Sequence, residues 1–312
     1  MIPTVVGAGV LVFFLLRVLP GDVCEVQWAD YAMHYDLKVI NRCRDEMGLN
    51  DPLPVQFINF ITGVVTFDFG NSMWTGKPIA QEIKNRFALS FQLAFMATFV
   101  AIIIAIPLGI ISAIKQNTWI DHIVRIFSIA GLAMPSFWLG ILIILGLLIF
   151  TQSWFGAPWM PPIEYVSPFK DPIANMSQLI WPTIATGYRY AAVTARMTRS
   201  ALLEVMREDY IRTATAKGLP KKIVINRHAL KNAFLPVVTI IGIEFSFLMG
   251  SLVVTEHVFN LNGLGRLLLE SVLNADYTTT QALVMIVVAL SVFINFVVDL
   301  FYAWLDPRIR YS

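Results

Sequence analysis

Residues Glu208–Pro236 read EDYIRTATAKGLPKKIVINRHALKNAFLP, a basic, helix-compatible stretch set between long apolar runs. From Arg196 to Lys231 there are nine Lys or Arg (196, 199, 207, 212, 217, 221, 222, 227 and 231) against three acids (204, 208 and 209). A charged island of this kind faces water, and its excess of positive charge places it in the cytoplasm by the positive-inside rule. Glu208 and Asp209 favour a helix N-terminus, Glu208 can pair with Arg212 one turn on, and Gly218 followed by Pro220 stops the helix and restarts it. The spacing predicts two short helices joined at a Gly-Leu-Pro elbow, with Ala214, Ala216 and Gly218 forming a small-residue face that fits a groove of another protein.

Outward from this island the chain is apolar. Hydrophobic residues make up 57% and charged ones 14% of the 312 residues, with mean hydropathy +0.67, which excludes a single soluble core and points to an all-α polytopic membrane protein. Arg86 and Lys115 bracket 28 uncharged residues, more than the roughly 20 that span a bilayer. Similar runs begin near Ile2, Ile123, Gln178, Phe234 and Thr280, giving six expected spans. The third is expected to end near Thr151, where Trp154, Gly156, Pro158 and Trp159 mark an interface and a turn.

Loop charges set the expected orientation. Residues 20–88 carry nine acids and six bases, and 152–178 and 258–279 each carry two acids and one base, so all three face outward. Six spans then put both termini in the cytoplasm, in agreement with Arg308 and Arg310. Residues 2–16 have no basic n-region and Leu19–Gln27 no small-residue cleavage site, which argues for an uncleaved, short first helix. Its inner end lacks the usual arginines, so the encoded start is expected upstream of Met1. Val23 before Cys24 argues against a lipidated cysteine.

Cys24 and Cys43 both fall in the outward segment. Two readings stand: a disulfide, worth about 3 kcal/mol for a loop of this size, or two unrelated thiols. The shared compartment favours the bridge.

The elbow closely resembles the EAA loop, or coupling helix, of binding-protein-dependent ABC importer permeases, in the form carried by dipeptide and oligopeptide permease B subunits. Other segments resemble that family in order: Leu16–Asp22 (LRVLPGD), Met47–Pro54 (MGLNDPLP), Phe67–Pro78 (FDFGNSMWTGKP), Glu256–Arg266 (EHVFNLNGLGR), Asp276-Tyr277, Asn295–Asp299 (NFVVD) and Asp306–Arg310 (DPRIR). The general motif starts Glu-Ala-Ala where this chain has Arg212-Thr213-Ala214, as peptide-type members do, and Asn262 stands where many members have Pro.

The resemblance implies a first transmembrane helix at 1–19, an extracytoplasmic subdomain at 20–88 and a permease core at 89–312, with the coupling loop at about 199–233. It implies a homologous second permease subunit, two cytoplasmic ATP-binding subunits and an extracytoplasmic solute-binding protein as partners, in a bacterial-type inner membrane. Glu208, Asp209, Tyr210, Arg212, Thr213, Ala214, Lys217 and Gly218 are the residues expected to contact the ATPase. Substrates of such permeases include dipeptides, oligopeptides, glutathione, nickel complexes and some sugars.

Other features weigh against chemistry in the chain itself. GNSMWTGKP is not a nucleotide loop, because five residues separate Gly70 from Gly76 and Pro78 follows Lys77. The four histidines, His34, His122, His228 and His257, lack metal spacing, and no nucleophile-base pair suggests an enzyme. No cofactor, metal or nucleic acid is expected. Inside the membrane, Arg189 and Glu244 form either an ion pair between adjacent helices or part of the pathway, where Arg189 would meet a carboxylate. Asp299 with Asn295 is expected to fix packing. Pro135 and Pro236 are expected to kink the third span and the start of the fifth. A self-sufficient ion-coupled transporter using Arg189, Glu244 and Asp299 is the alternative, and it would require an inverted repeat that this chain does not display.

Overall fold

The computed structural model describes residues 2–18, 21–29, 37–162 and 164–305. Among them the secondary structure is helical, apart from an isolated antiparallel bridge between Asn71 and Pro78. In chain order the helices are α1 (Ile2–Val18), α2 (Val23–Ala29), α3 (Leu37–Glu46), α4 (Leu53–Thr66), α5 (Ile79–Ile114), α6 (Trp119–Ala133), α7 (Ser136–Phe155), α8 (Pro172–Val205), α9 (Asp209–Ala216) and α10 (Lys221–Ile223). A π-helical segment, Val224–Ala229, leads into α11 (Leu230–Val258), followed by α12 (Leu264–Leu273) and α13 (Tyr277–Leu305). The tail motif Asp306–Arg310, with Arg308 and Arg310, and His34 lie outside the described residues.

Four stretches among the described residues are long and apolar enough to cross a membrane: Ile79–Ile114, Ser136–Trp154, Lys221–Val258 and Tyr277–Leu300. The apolar helices Pro3–Val18 and Leu53–Thr66 are shorter. Helix α8 is long enough, but its middle is built of small and polar residues. The expected third span is not one kinked helix: α6 ends at Ala133, Pro135 takes an extended conformation, and α7 starts afresh at Ser136. Proline cannot donate the hydrogen bond that would continue the helix. The fifth span also starts earlier than expected, because the helix runs unbroken from Lys221 and carries Pro236 in its interior.

Caps follow from local sequence. The Asp171 carboxylate accepts from the Ile173 and Ala174 N–H groups, each at 3.0 Å, and Pro172 opens α8. Gly156 closes α7 in the left-handed region at φ 72°.

The described residues fall into two compact units. Those within 1–90 and 262–293 form the first. Here Cys24 and Cys43 are joined by a disulfide with Cα atoms 5.9 Å apart, and Val23, Cys24 and Ile40 pack around it. Arg44 binds Asp22 at 2.6 Å and also pairs with Glu25, tying α3 to the start of α2. The segment Phe67–Pro78 is anchored by Asp276: its carboxylate accepts from Ser72 Oγ at 2.6 Å and from the Met73 N–H at 3.2 Å. Two of the quoted sequence motifs, 204 positions apart, therefore meet.

The described residues within 91–261 and 294–305 form the second unit, built around α8. Small residues let backbones approach: a Cβ on Gly131 of α6 would stand 2.6 Å from Ala192, and one on Gly109 of α5 would stand 2.7 Å from the Ala195 carbonyl oxygen. Ala185, Gly187, Ala191, Ala192 and Ala195 are all buried on α8. Such close packing replaces the hydrophobic drive that lipid does not supply, and it explains why the central helix is the least apolar of the long ones.

Candidate functional site

Helix α9 and the turn after it form the elbow. Glu208 is the N-cap residue, and Asp209 sits in the first turn, where a negative charge suits the helix dipole. Arg212 pairs with Asp209 at 3.3 Å rather than with Glu208, because the capping residue lies outside the helical register. Thr213 Oγ1 donates to the Asp209 carbonyl at 2.9 Å, and Lys217 caps the C-terminus. Gly218 follows at φ +77°, a conformation that strains any other residue, and Pro220 opens the next helix.

The base of the elbow is hydrophobic. Ile211 and Ala214 pack with Leu202 of α8, Val224 of the π-helical segment, and Ala229 and Ala233 at the start of α11. Ala214, read from sequence as a docking residue, is turned inward and only 8% exposed. The small-residue face left to water is Ala216 and Gly218. Asn232 Nδ2 donates to the Tyr210 hydroxyl at 2.7 Å, linking α9 to the first turn of α11. The second arm of the elbow is not a separate short helix, since α10 runs on through the π-helical segment into α11. The second arm of the elbow is thus continuous with a membrane-length helix.

One polar cluster was not anticipated from sequence. Asp121 lies just ahead of the apolar run that begins at Ile123 and is fully buried. Its carboxylate accepts from Arg199 Nε at 2.8 Å and Nη2 at 2.9 Å, from Ser112 Oγ at 2.6 Å and from the Asn117 N–H at 3.0 Å. The Arg199 guanidinium is chiefly what holds this carboxyl well below the usual carboxylate range, with Ser112 and Asn117 assisting against the effect of burial. Charge counting places Arg199 in the loop, and in the sequence only an acid at the very edge of an apolar run points to a partner.

Higher on α8 a second arginine is placed differently. Arg189, Thr186 and Tyr190 line a cavity of about 260 Å³ with Ser136 of α7 and with Glu244, Phe247, Ser251 and Thr255 of α11. Hydroxyls join its walls: Thr186 and Thr255 lie 3.2 Å apart, Tyr190 and Ser251 3.1 Å. The structure brings Arg189 and Glu244 to one cavity, yet among the described residues no salt bridge joins them. Among the described residues no cluster of His, Cys, Asp or Glu fits a metal ion.

The profile of a family described as the binding-protein-dependent transport system inner membrane component matches residues 105–311, which hold both the elbow and the cavity. The chain belongs to this family. It is similar to the glutathione transport system permease protein GsiC of Pectobacterium atrosepticum, with 39% identity over 312 residues, covering 100% of this chain and 96% of the relative. The protein of the same name from Escherichia coli is 38% identical over the same span. The probable peptide ABC transporter permease protein y4tP of Sinorhizobium fredii is 36% identical, covering 97% of this chain and 94% of that one.

Among solved structures, an inward-facing form of the MetNI methionine ABC transporter superposes with a TM-score of 0.53 at 18% identity, covering 72% of this chain and 96% of its own. An amino acid ABC transporter gives 0.54 at 14% identity, covering 70% and 92%. These likenesses concern the fold. As a member of the inner membrane component family, with full-length relatives that are transport permeases, the chain is a membrane-embedded permease of ABC import, and the ion-coupled alternative is not favoured.

Proposed function

We propose that this permease forms one half of a pathway for peptides or similar small solutes, the other half coming from a homologous second permease. Two cytoplasmic ATP-binding subunits hydrolyse ATP beneath it, and an extracytoplasmic solute-binding protein delivers solute to residues 20–88. The elbow and both termini lie in the cytoplasm of a bacterial-type cell. Glu208, Asp209, Tyr210, Arg212, Thr213, Lys217 and Gly218 meet the ATPase, while Ala214 positions the loop from within. Closure of the ATPases pushes α9, and the Tyr210–Asn232 contact carries the push to α11.

The observation that carries this reading is the exposed, charged α9 seated on an apolar base shared with α8 and α11. The names of full-length relatives at 36–39% identity support solutes of the glutathione and peptide kind. Native mass spectrometry of the tagged chain, expressed with its genomic neighbours, should show a second permease and two ATPases. Ala216→Trp places a ring on the exposed face without straining Gly218. It should leave assembly in the membrane intact and cut uptake by about tenfold or more. Normal uptake by this variant would sink the docking role, and a lone chain that still transports would sink the importer reading.

A further inference from the structure

Arg189 poses a physical problem that the elbow does not explain. It lies about midway along α8, some 25 Å from either end at 1.5 Å per residue, whereas the hydrocarbon core is only about 30 Å thick. Its side chain is exposed on this chain, and among the described residues no carboxylate closes on it. An arginine facing lipid at that depth costs at least about 2.5 kcal/mol, so such a group faces water or a second chain. Glu244, half-buried across the same cavity, has the opposite charge and is likewise free of a direct salt bridge among the described residues.

The surroundings fit a ligand better than a structural ion pair. The hydroxyls of Thr186, Thr255, Tyr190 and Ser251 satisfy one another and hold the α8 and α11 walls at a fixed separation. Ser136 is the first residue of α7 after the break at Pro135, so a helix start, with its unpaired N–H groups, opens on the cavity where an anionic group would be welcome. Phe247 adds an apolar surface. The volume of about 260 Å³ lies just below the range of complete small-molecule sites, as expected of a half-site completed by a second permease.

We infer that this cavity is a transfer site for zwitterionic solutes, Arg189 meeting a free carboxylate and Glu244 a free ammonium group. The inference rests on the peptide reading above. It makes the pathway itself selective for free termini, in addition to whatever the binding protein selects. Two separated charges of opposite sign recognise a zwitterion and penalise a solute bearing only one of them, because the other charge then stays unpaired in a confined site.

The test uses the assembled importer with its binding protein in liposomes, reading uptake of labelled glutathione and of L-alanyl-L-alanine beside ATP hydrolysis. Arg189→Gln and Glu244→Gln should each lower uptake about tenfold or more, with binding-protein-stimulated hydrolysis within about twofold of wild type. Arg189→Lys and Glu244→Asp, which keep the charges, should recover uptake to within about threefold. Unchanged uptake in the Gln variants overturns the site. Uptake and hydrolysis falling together, or loss of assembly, overturns it in favour of a structural pair. A wild-type importer that moves neither peptide fails at the peptide reading instead, before the site is tested.

Discussion

Arg189 and Arg199 stand on the same face-to-face helix system, ten positions and about 15 Å apart along α8, yet one is locked and the other waits. Arg199 is held in a two-pronged grip on a fully buried carboxylate that also receives Ser112 and Asn117. Arg189 looks into a cavity with its opposite charge at a distance. The difference lies in the neighbours. One turn before Arg199, Gly109 brings the α5 backbone against Ala195 and Thr198, which sets Ser112 and Asp121 within reach. Near Arg189, α5 instead packs on Gly187, about 200° around the helix, and leaves the arginine side open. A buried, saturated pair determines packing, whereas an open pair of charges is available to a ligand.

The comparison breaks most visibly at Arg199. Arg199→Ala strands the Asp121 carboxylate and should cost about 3–5 kcal/mol, read as a fall in the melting temperature of the detergent-purified complex. Arg189→Gln should leave that midpoint nearly unchanged while uptake falls. The low value of the Asp121 carboxyl in the folded protein means that its contribution is present above the ordinary Asp value of about 3.9 and lost as pH falls beneath it. In Arg199→Ala the stranded, buried carboxyl is pushed above that value, so the melting gap should be widest near pH 8 and narrow as the Asp121 of the variant takes up a proton on the way down to about pH 4. A gap that stays constant from about pH 8 to 4 would show that Arg199 is not what keeps the Asp121 carboxyl charged.

Smaller effects sharpen the same contrast. Gly109→Ala puts a methyl 2.6 Å from Thr198 Cβ and should cost about 1–3 kcal/mol by prising α5 from α8. It should narrow the effect of a subsequent Arg199→Ala change, a coupling that a double-mutant cycle measures directly. Smallest of all is Arg212→Ala. Its partner Asp209 lies in water, with side-chain exposures of 77% and 95%, so the stability change should stay within about 0.5 kcal/mol. Any larger loss of stability there would mean that the elbow is held by its surface charges rather than by Ile211 and Ala214.

Much of the architecture was legible before folding. Apolar run lengths announced a helical membrane protein, the Gly218-Leu-Pro220 stop and restart marked the elbow, and Glu208-Asp209 marked the start of α9. Less legible were features that depend on which helix face meets which neighbour. Ala214 is small like Ala216, and the pattern assigned both to one docking face, but Leu202 and Val224 cover the first and leave the second in water. Glu208 and Asp209 are both acids next to Arg212, and only the capping geometry selects Asp209. Pro135 announced a bend, while the complete break and the new helix start at Ser136 needed the packed chain.

The amino-acid order by itself determined the class of protein, its helical elements and the charged elbow, because hydrophobic period, proline, glycine and charge act over a few residues. Tertiary structure alone decided which arginine was locked. Asp121 and Arg199 are 78 positions apart, and no local pattern distinguishes their pairing from that of Arg189 with Glu244. The choice follows from small residues that let α5 and α6 close on one end of α8, where burial makes a charge pair obligatory. At Arg189 the helices stay open enough to leave the two charges lining a cavity without closing on each other.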